Sequence, residues 1–252
     1  MEEIVSRRNP IFQRIRKLNA SSSFRRQQGR FVGEGPKLLE EAVRWGAEIE
    51  TVVAIPEAGI PTVLGARRIE TRQDVLLTLA DTEAPQGVVF ICALPDTALP
   101  DKLPTGRYLV LDGIQDPGNL GTIWRTADAF GAAGLFLTGG CADPFGPKAV
   151  RATMGACFRL PVWKGERQAV KELLERSQIP ICATALREDT QDVREADLSQ
   201  AAVVIGSEGR GISEEMLSCC EKTLKIPMTA RCESLNAAAA AAVVLWEGWR
   251  ER

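Results

Sequence analysis

The second half of the chain repeats one pattern: a short apolar run, a glycine-containing polar turn, then apolar positions at helical spacing. Apolar runs at 108–111, 134–137, 179–184, 202–205 and 223–226 predict strands. The intervals around 120–130, 147–154 and 168–176 predict helices. Strands that are apolar throughout, rather than alternating, are buried on both faces, so this half predicts a parallel sheet covered by helices. The first half reads as a basic helix, a Ser-rich loop, a short strand, and a helix at 36–45 that Pro36 opens and Gly46 ends. A strand at 49–55, a helix near 72–80 and a strand at 88–93 complete a smaller α/β unit. Between the halves, "LPDTALPDKLPTGR" carries Pro95, Pro100 and Pro104 without periodicity, which marks a linker. The expected division is residues 1–94, a linker at 95–106, and a second domain at 107–252.

The chain ends on an unusual helix. Residues 235–249 hold six consecutive alanines, Ala237 to Ala242, then the apolar run Val243 to Trp246, with Ser234 placed to cap them. An alanine face buries little side chain but lets a neighbouring backbone come close.

Composition narrows the chemistry. The 252 residues contain no histidine, which excludes Ser-His-Asp and Cys-His catalysis and leaves zinc chemistry poorly provided for. Seven cysteines form no CxxC pair, so a reduced, cytoplasmic compartment is expected, and no apolar run approaches membrane-spanning length. Charge is uneven: residues 1–30 sum to +6 within a chain of net charge -2. Arg7, Arg8, Arg14, Arg16, Arg25, Arg26 and Arg30 in this arm are candidates for phosphate contacts with a polyanion; a solvated helix face is the alternative.

Parallel sheets bind ligands beyond the C-terminal ends of their strands, so the loops there are the candidate site. The first, "DPGNLGTIWRTADAFGAAG", has the layout of a nucleotide cradle but lacks the G-x-G-x-x-G spacing, which disfavours a nicotinamide oxidoreductase; it carries Asn119 and Arg125. The second, within "VVIGSEGRGIS", surrounds Glu208 with glycines. The third, within "IPMTARCESLNAAAAAA", places Ser234, Leu235 and Asn236 ahead of the alanines.

Taken in this order, the three stretches resemble the SpoU (TrmH-like) branch of the SPOUT RNA methyltransferases. "KAVRATMGACFRLPV" between the first two also looks like the family's segment, and "NPIFQRIRKL" with "GRFVGEGPKLLEEA" resembles its L30e-like substrate-binding domain. Two departures are small: Ala237-Ala238 stands where Val-Ser is common, and Thr153 where serine is common.

The resemblance implies a C-terminal SPOUT domain with a deep trefoil knot and a homodimer; the absence of histidine and of metal-like cysteine spacing leaves no metal expected. It implies S-adenosylmethionine bound through Gly206, Ile226, Met228 and Leu235, with Thr184, Ala185 and Leu186 on the adenine side. The implied reaction is methyl transfer to a ribose 2′-hydroxyl of RNA. The two-domain layout favours 23S ribosomal RNA over tRNA. A non-catalytic RNA-binding protein on the same fold is the rival from another class. Arg125 is the implied catalytic residue, oriented by Asn119 and Glu208, with Ser234 and Asn236 fixing the loop or the ribose. A guanidinium keeps its proton at neutral pH, so phosphate binding and alkoxide stabilisation suit Arg125 better than proton abstraction.

Overall fold

The computed structural model describes residues 2–185, 190–229, 231 and 234–250. The chain is α/β and divides into two compact units, Met1–Pro95 with Asp143–Phe158, and Asp96–Ala142 with Arg159–Arg252. The segment 143–158, assigned from sequence to the second domain, therefore groups with the first.

The first unit runs β1 (Glu2–Glu3), α1 (Pro10–Ala20), α2 (Ser22–Gln28), β2 (Arg30–Glu34), α3 (Pro36–Arg44), β3 (Ile49–Ala54), β4 (Arg67–Glu70), α4 (Gln73–Leu76) and β5 (Val88–Ala93). Its mixed sheet has the order β1-β4-β3-β5-β2. The apolar stripe of α1, Ile11, Phe12, Ile15 and Leu18, is buried and joins Val53, Ile69, Val89 and Ile91 in one core cluster. Asn9 caps α1 through a bond from the Ile11 amide, and Pro10 takes the first turn, where its missing N–H costs nothing. The expected Ser-rich loop is instead α2: Ser21 accepts from the Phe24 amide, so the serines start a helix rather than interrupt one.

The second unit runs β6 (Tyr108–Asp112), α5 (Pro117–Ala129) and β7 (Gly134–Thr138); α6 (Pro147–Ala152) follows in the segment belonging to the first unit. It continues with β8 (Val162–Lys164), α7 (Arg167–Arg176), β9 (Ile181–Thr184), β10 (Gln191–Asp192), β11 (Ala202–Gly206), α8 (Glu214–Leu217), β12 (Lys222–Lys225) and α9 (Ala237–Trp249). The seven strands lie in the order β10-β12-β9-β11-β6-β7-β8, and every neighbouring pair is parallel. The central strands β6, β7 and β11 are almost wholly buried, as their unbroken apolar sequences require. The last helix starts at Ala237, and its cap is Asn236 rather than Ser234: the Asn236 side-chain oxygen accepts from the Ala238 and Ala239 amides. The alanine helix packs against α5 and β11, with Ala237, Ala238 and Ala241 buried.

The basic arm is largely spoken for within the first unit. Arg25 is 5% exposed; it donates to the Leu18 and Asn19 carbonyls and forks onto the Asp143 carboxylate. Arg14 pairs with Glu50, Arg30 with Glu48 and Glu50, and Arg7 with Asp74. Arg16 reaches Thr78 and the Arg7 carbonyl, Arg26 reaches Ser22, and Arg8 is exposed. Arg25 is thus a structural tie and is closed to a phosphate.

Removing one member of an enclosed ion pair strands the other, which costs about 3 kcal/mol. Arg25→Met should lower the unfolding free energy of the first unit by about that amount in urea titration, while leaving RNA affinity of the folded protein unchanged.

Candidate functional site

The C-terminal ends of β9, β11 and β12 open on a cavity of about 290 Å³, near the lower end for small-ligand pockets. Its walls are Ile205, Ile212, Leu224, Ile226 and Leu235, with Thr184, Ala185, Met228 and Ser234 also lining it. Leu186 lies outside the described residues. Apart from that residue, every position expected to hold a cofactor reaches this one cavity.

Gly206 makes the cavity possible. A Cβ built there would stand 2.3 Å from the Gly211 carbonyl carbon and 2.4 Å from the Ile212 nitrogen, closer than any side chain tolerates. Both obstacles are backbone and cannot rotate away, so only glycine lets the chain fold back at this point. Ser207 and Gly211 then exchange backbone hydrogen bonds of 3.0 and 2.8 Å, pinching off a small loop with Glu208 near its tip.

Glu208 is held by two amides. Asn119 and Asn236 both donate to its Oε1, Asn236 at 2.9 Å, and Asn236 also donates to Asn119 Oδ1 at 3.2 Å. The three residues come from the starts of α5 and α9 and from the loop after β11. Each amide is placed by helix capping: Asp116 accepts from the Asn119 amide nitrogen at 2.8 Å, and Asn236 caps α9 itself. Three loops far apart in sequence are therefore joined by one carboxylate.

Arg125 is not part of this cluster. It is exposed, and it makes no hydrogen bond or ion pair with any described residue, so Asn119 and Glu208 do not orient it here. Six residues along a helix mean about 240° of rotation and about 9 Å of rise, which sends Arg125 to another side of α5 from Asn119.

A second group was missed from sequence. Asp112, at the end of β6, is 3% exposed and is the register partner of Gly206. Its Oδ2 accepts from the Ser213 amide at 2.9 Å, and its Oδ1 accepts from Thr138 at 3.0 Å and from Arg167 Nε at 2.9 Å. Burial alone would raise its pKa, but the Ser213, Arg167 and Thr138 donors together hold it below the ordinary carboxylate range. The available signal was a lone acid closing the otherwise apolar strand "YLVLD".

Residues 106–246 match the SpoU rRNA methylase family, and residues 9–89 match the MRM3-like substrate binding domain. A 23S rRNA (guanosine(2553)-2′-O)-methyltransferase of Bacillus subtilis is 31% identical, with 98% of each chain covered. A 23S rRNA (uridine(2479)-2′-O)-methyltransferase of Streptomyces viridochromogenes is also 31% identical, covering 98% of this chain and 92% of that one. Among solved structures, the AdoMet-bound rRNA methyltransferase from Sinorhizobium meliloti superposes with a TM-score of 0.89 at 34% identity, covering 98% of this chain and 97% of that one. The chain belongs to the SpoU rRNA methylase family.

Proposed function

We propose that this protein transfers a methyl group from S-adenosylmethionine to a ribose 2′-hydroxyl of large-subunit ribosomal RNA. The observation that carries the reading is the cavity behind Gly206, with Asn119, Glu208 and Asn236 clustered beside it. Relatives that methylate 23S rRNA support the substrate class; they modify different nucleotides, a guanosine and a uridine, so the nucleotide does not follow from kinship.

The cavity suits this donor. Apolar walls from Ile205, Ile212, Leu224 and Ile226 can grip a purine, and backbone groups around Gly206, Ile226, Met228 and Leu235 can meet its polar edges. Thr184 and Ala185 close one side. When bound, the sulfonium supplies an activated methyl and a good leaving group. The protein's task is then alignment of the acceptor, which suits a site without imidazole. Asn119 and Asn236 fix Glu208, and through it the loop that borders the cavity. Ser234, which lines the cavity, and Asn236 are assigned to fixing the loop or hydrogen-bonding the ribose. Arg125, exposed and unpaired among the described residues, is free to bind the target phosphate and stabilise the developing alkoxide, the proton leaving to phosphate or water. Arg8, Arg16 and Arg26 supply RNA contacts from the first unit; Arg7, Arg14 and Arg30 are partly neutralised by their carboxylate partners.

The reading also places the protein in the cytoplasm, with its rRNA; no helix among the described residues is long and apolar enough to cross a membrane. It includes a knotted C-terminal segment and a homodimer. An apolar face supports the dimer: Trp246 and Trp249 on α9 are 47% and 50% exposed, and both pack against Phe130 at the end of α5, one edge-on and one tilted. Sedimentation equilibrium should return twice the 27.4 kDa chain mass; a single chain mass would remove the dimer.

Activity is tested by transfer of tritiated methyl from S-adenosylmethionine to unmodified ribosomal RNA. Label should appear in ribose, and Arg125→Ala should lose at least about a hundredfold in kcat, the scale of one misaligned or missing transition-state contact, while its cofactor affinity holds. Full activity in Arg125→Ala, or label in bases only, would contradict the assignment.

A further inference from the structure

Beneath the loop that carries Glu208 lies the charged network built on Asp112, and nothing in the reaction described above uses it. We infer that Asp112 and Arg167 are positioning residues: their ion pair, with its carboxylate buried, clamps the 206–213 loop in the shape that the methyl donor requires. The inference rests on the functional reading above and adds to it which side chains keep the site preformed.

Four contacts meet at this point. Asp112 is the strand neighbour of Gly206, the residue at which the loop leaves β11. At the loop's other end, the Ser213 amide donates to Asp112 Oδ2 at 2.9 Å, and the Ser213 hydroxyl caps α8 by accepting from the Met216 amide at 3.2 Å. One carboxylate therefore stands beside the loop's first residue and holds its last. On its other oxygen, Asp112 is held by Thr138 from β7 and by Arg167 from the first turn of α7. Arg167 also donates to Glu215 in α8 at 2.9 Å, so the guanidinium ties the end of β6 to the helix that follows the loop.

The neighbouring backbone makes room for this pair. Gly139 has φ +62°, and a Cβ there would lie 2.2 Å from an Arg167 terminal nitrogen and 2.5 Å from Asp112 Oδ1. A glycine with no side chain thus sits directly against the pair. Burying a carboxylate is costly unless donors surround it, and here they do. Such a group would not be needed merely to fill space at the end of β6, where an aliphatic side chain would pack. Its effect is directional: it fixes the Ser213 amide, hence the return path past Gly211 and Ile212, which form one wall of the cavity.

Asp112→Asn keeps an oxygen for the Ser213 amide but presents an NH2 to Arg167, so it breaks the clamp with almost no change of shape. Arg167→Met removes the other partner, and Gly139→Ala keeps both charges while driving a methyl between them. The protein as it stands is assayed in two ways. Calorimetric titration gives the S-adenosylmethionine dissociation constant of the folded fraction, and hydrogen exchange without ligand reports the amides of residues 207–213. Each variant should bind the donor about tenfold more weakly, the scale of one lost charge-assisted hydrogen bond, and should exchange those amides faster. The Asp112→Asn, Arg167→Met pair should be no worse than the weaker single variant, because the two residues act as one unit. If Asp112→Asn does not fold, Arg167→Met and Gly139→Ala carry the test. Unchanged affinity in the folded variants overturns the inference, whatever happens to their unfolding midpoints, because the pair would then be a stabilising strut only. Failure of the unsubstituted protein to bind the donor would instead defeat the functional reading beneath it.

Discussion

The site depends on a contact between two stretches of bare backbone. Where β11 ends, the chain passes so near residues 211 and 212 that position 206 has no room for a single carbon beyond Cα. That approach turns the loop back on itself, opens the cavity behind it and holds Glu208 beside the start of α5. Side chains then decorate a shape that the backbone has already set. A cofactor met mainly by backbone needs few charged groups in its pocket, which agrees with a pocket wall made chiefly of aliphatic residues.

Around that contact the molecule converts local rules into long-range order. Helix capping places Asn119 and Asn236, each for reasons belonging to its own helix, and their amides then converge on one carboxylate. The alanine helix completes the arrangement. Its thin face packs against α5 and β11, which brings the cap of α9 beside the first turn of α5. A bulkier face on α9 would hold the two helix starts apart. The cluster is built without histidine: amides and backbone establish its positions.

Much of this was legible in the sequence because strong periodicity and short-range chemistry are local. The apolar runs became β6, β7, β9, β11 and β12, and the glycine-rich and Ser-Leu-Asn loops met at one cavity. What escaped was decided by partners distant along the chain. Glu48, Glu50, Asp74 and Asp143 neutralise or enclose arginines that charge counting had set aside for RNA. Strands β4 and β8 have only four and three residues, too few to show a period. The cap of α9 moved from Ser234 to Asn236 because either side chain can accept from an amide two or three residues on, and only the backbone course selects between them. Asp112 looked like a strand end, since nothing near it in sequence announces Arg167 or Ser213 as its donors.

The most direct test of the account is where the methyl donor sits. Crystals grown with S-adenosylmethionine should show it in the cavity at the ends of β9, β11 and β12, against the backbone of Gly206, Ile226 and Leu235. Density for the donor anywhere else, such as the cleft beside Gly139 and Gly140 at the ends of β7 and β8, would contradict the account, as would a cavity closed by those same residues.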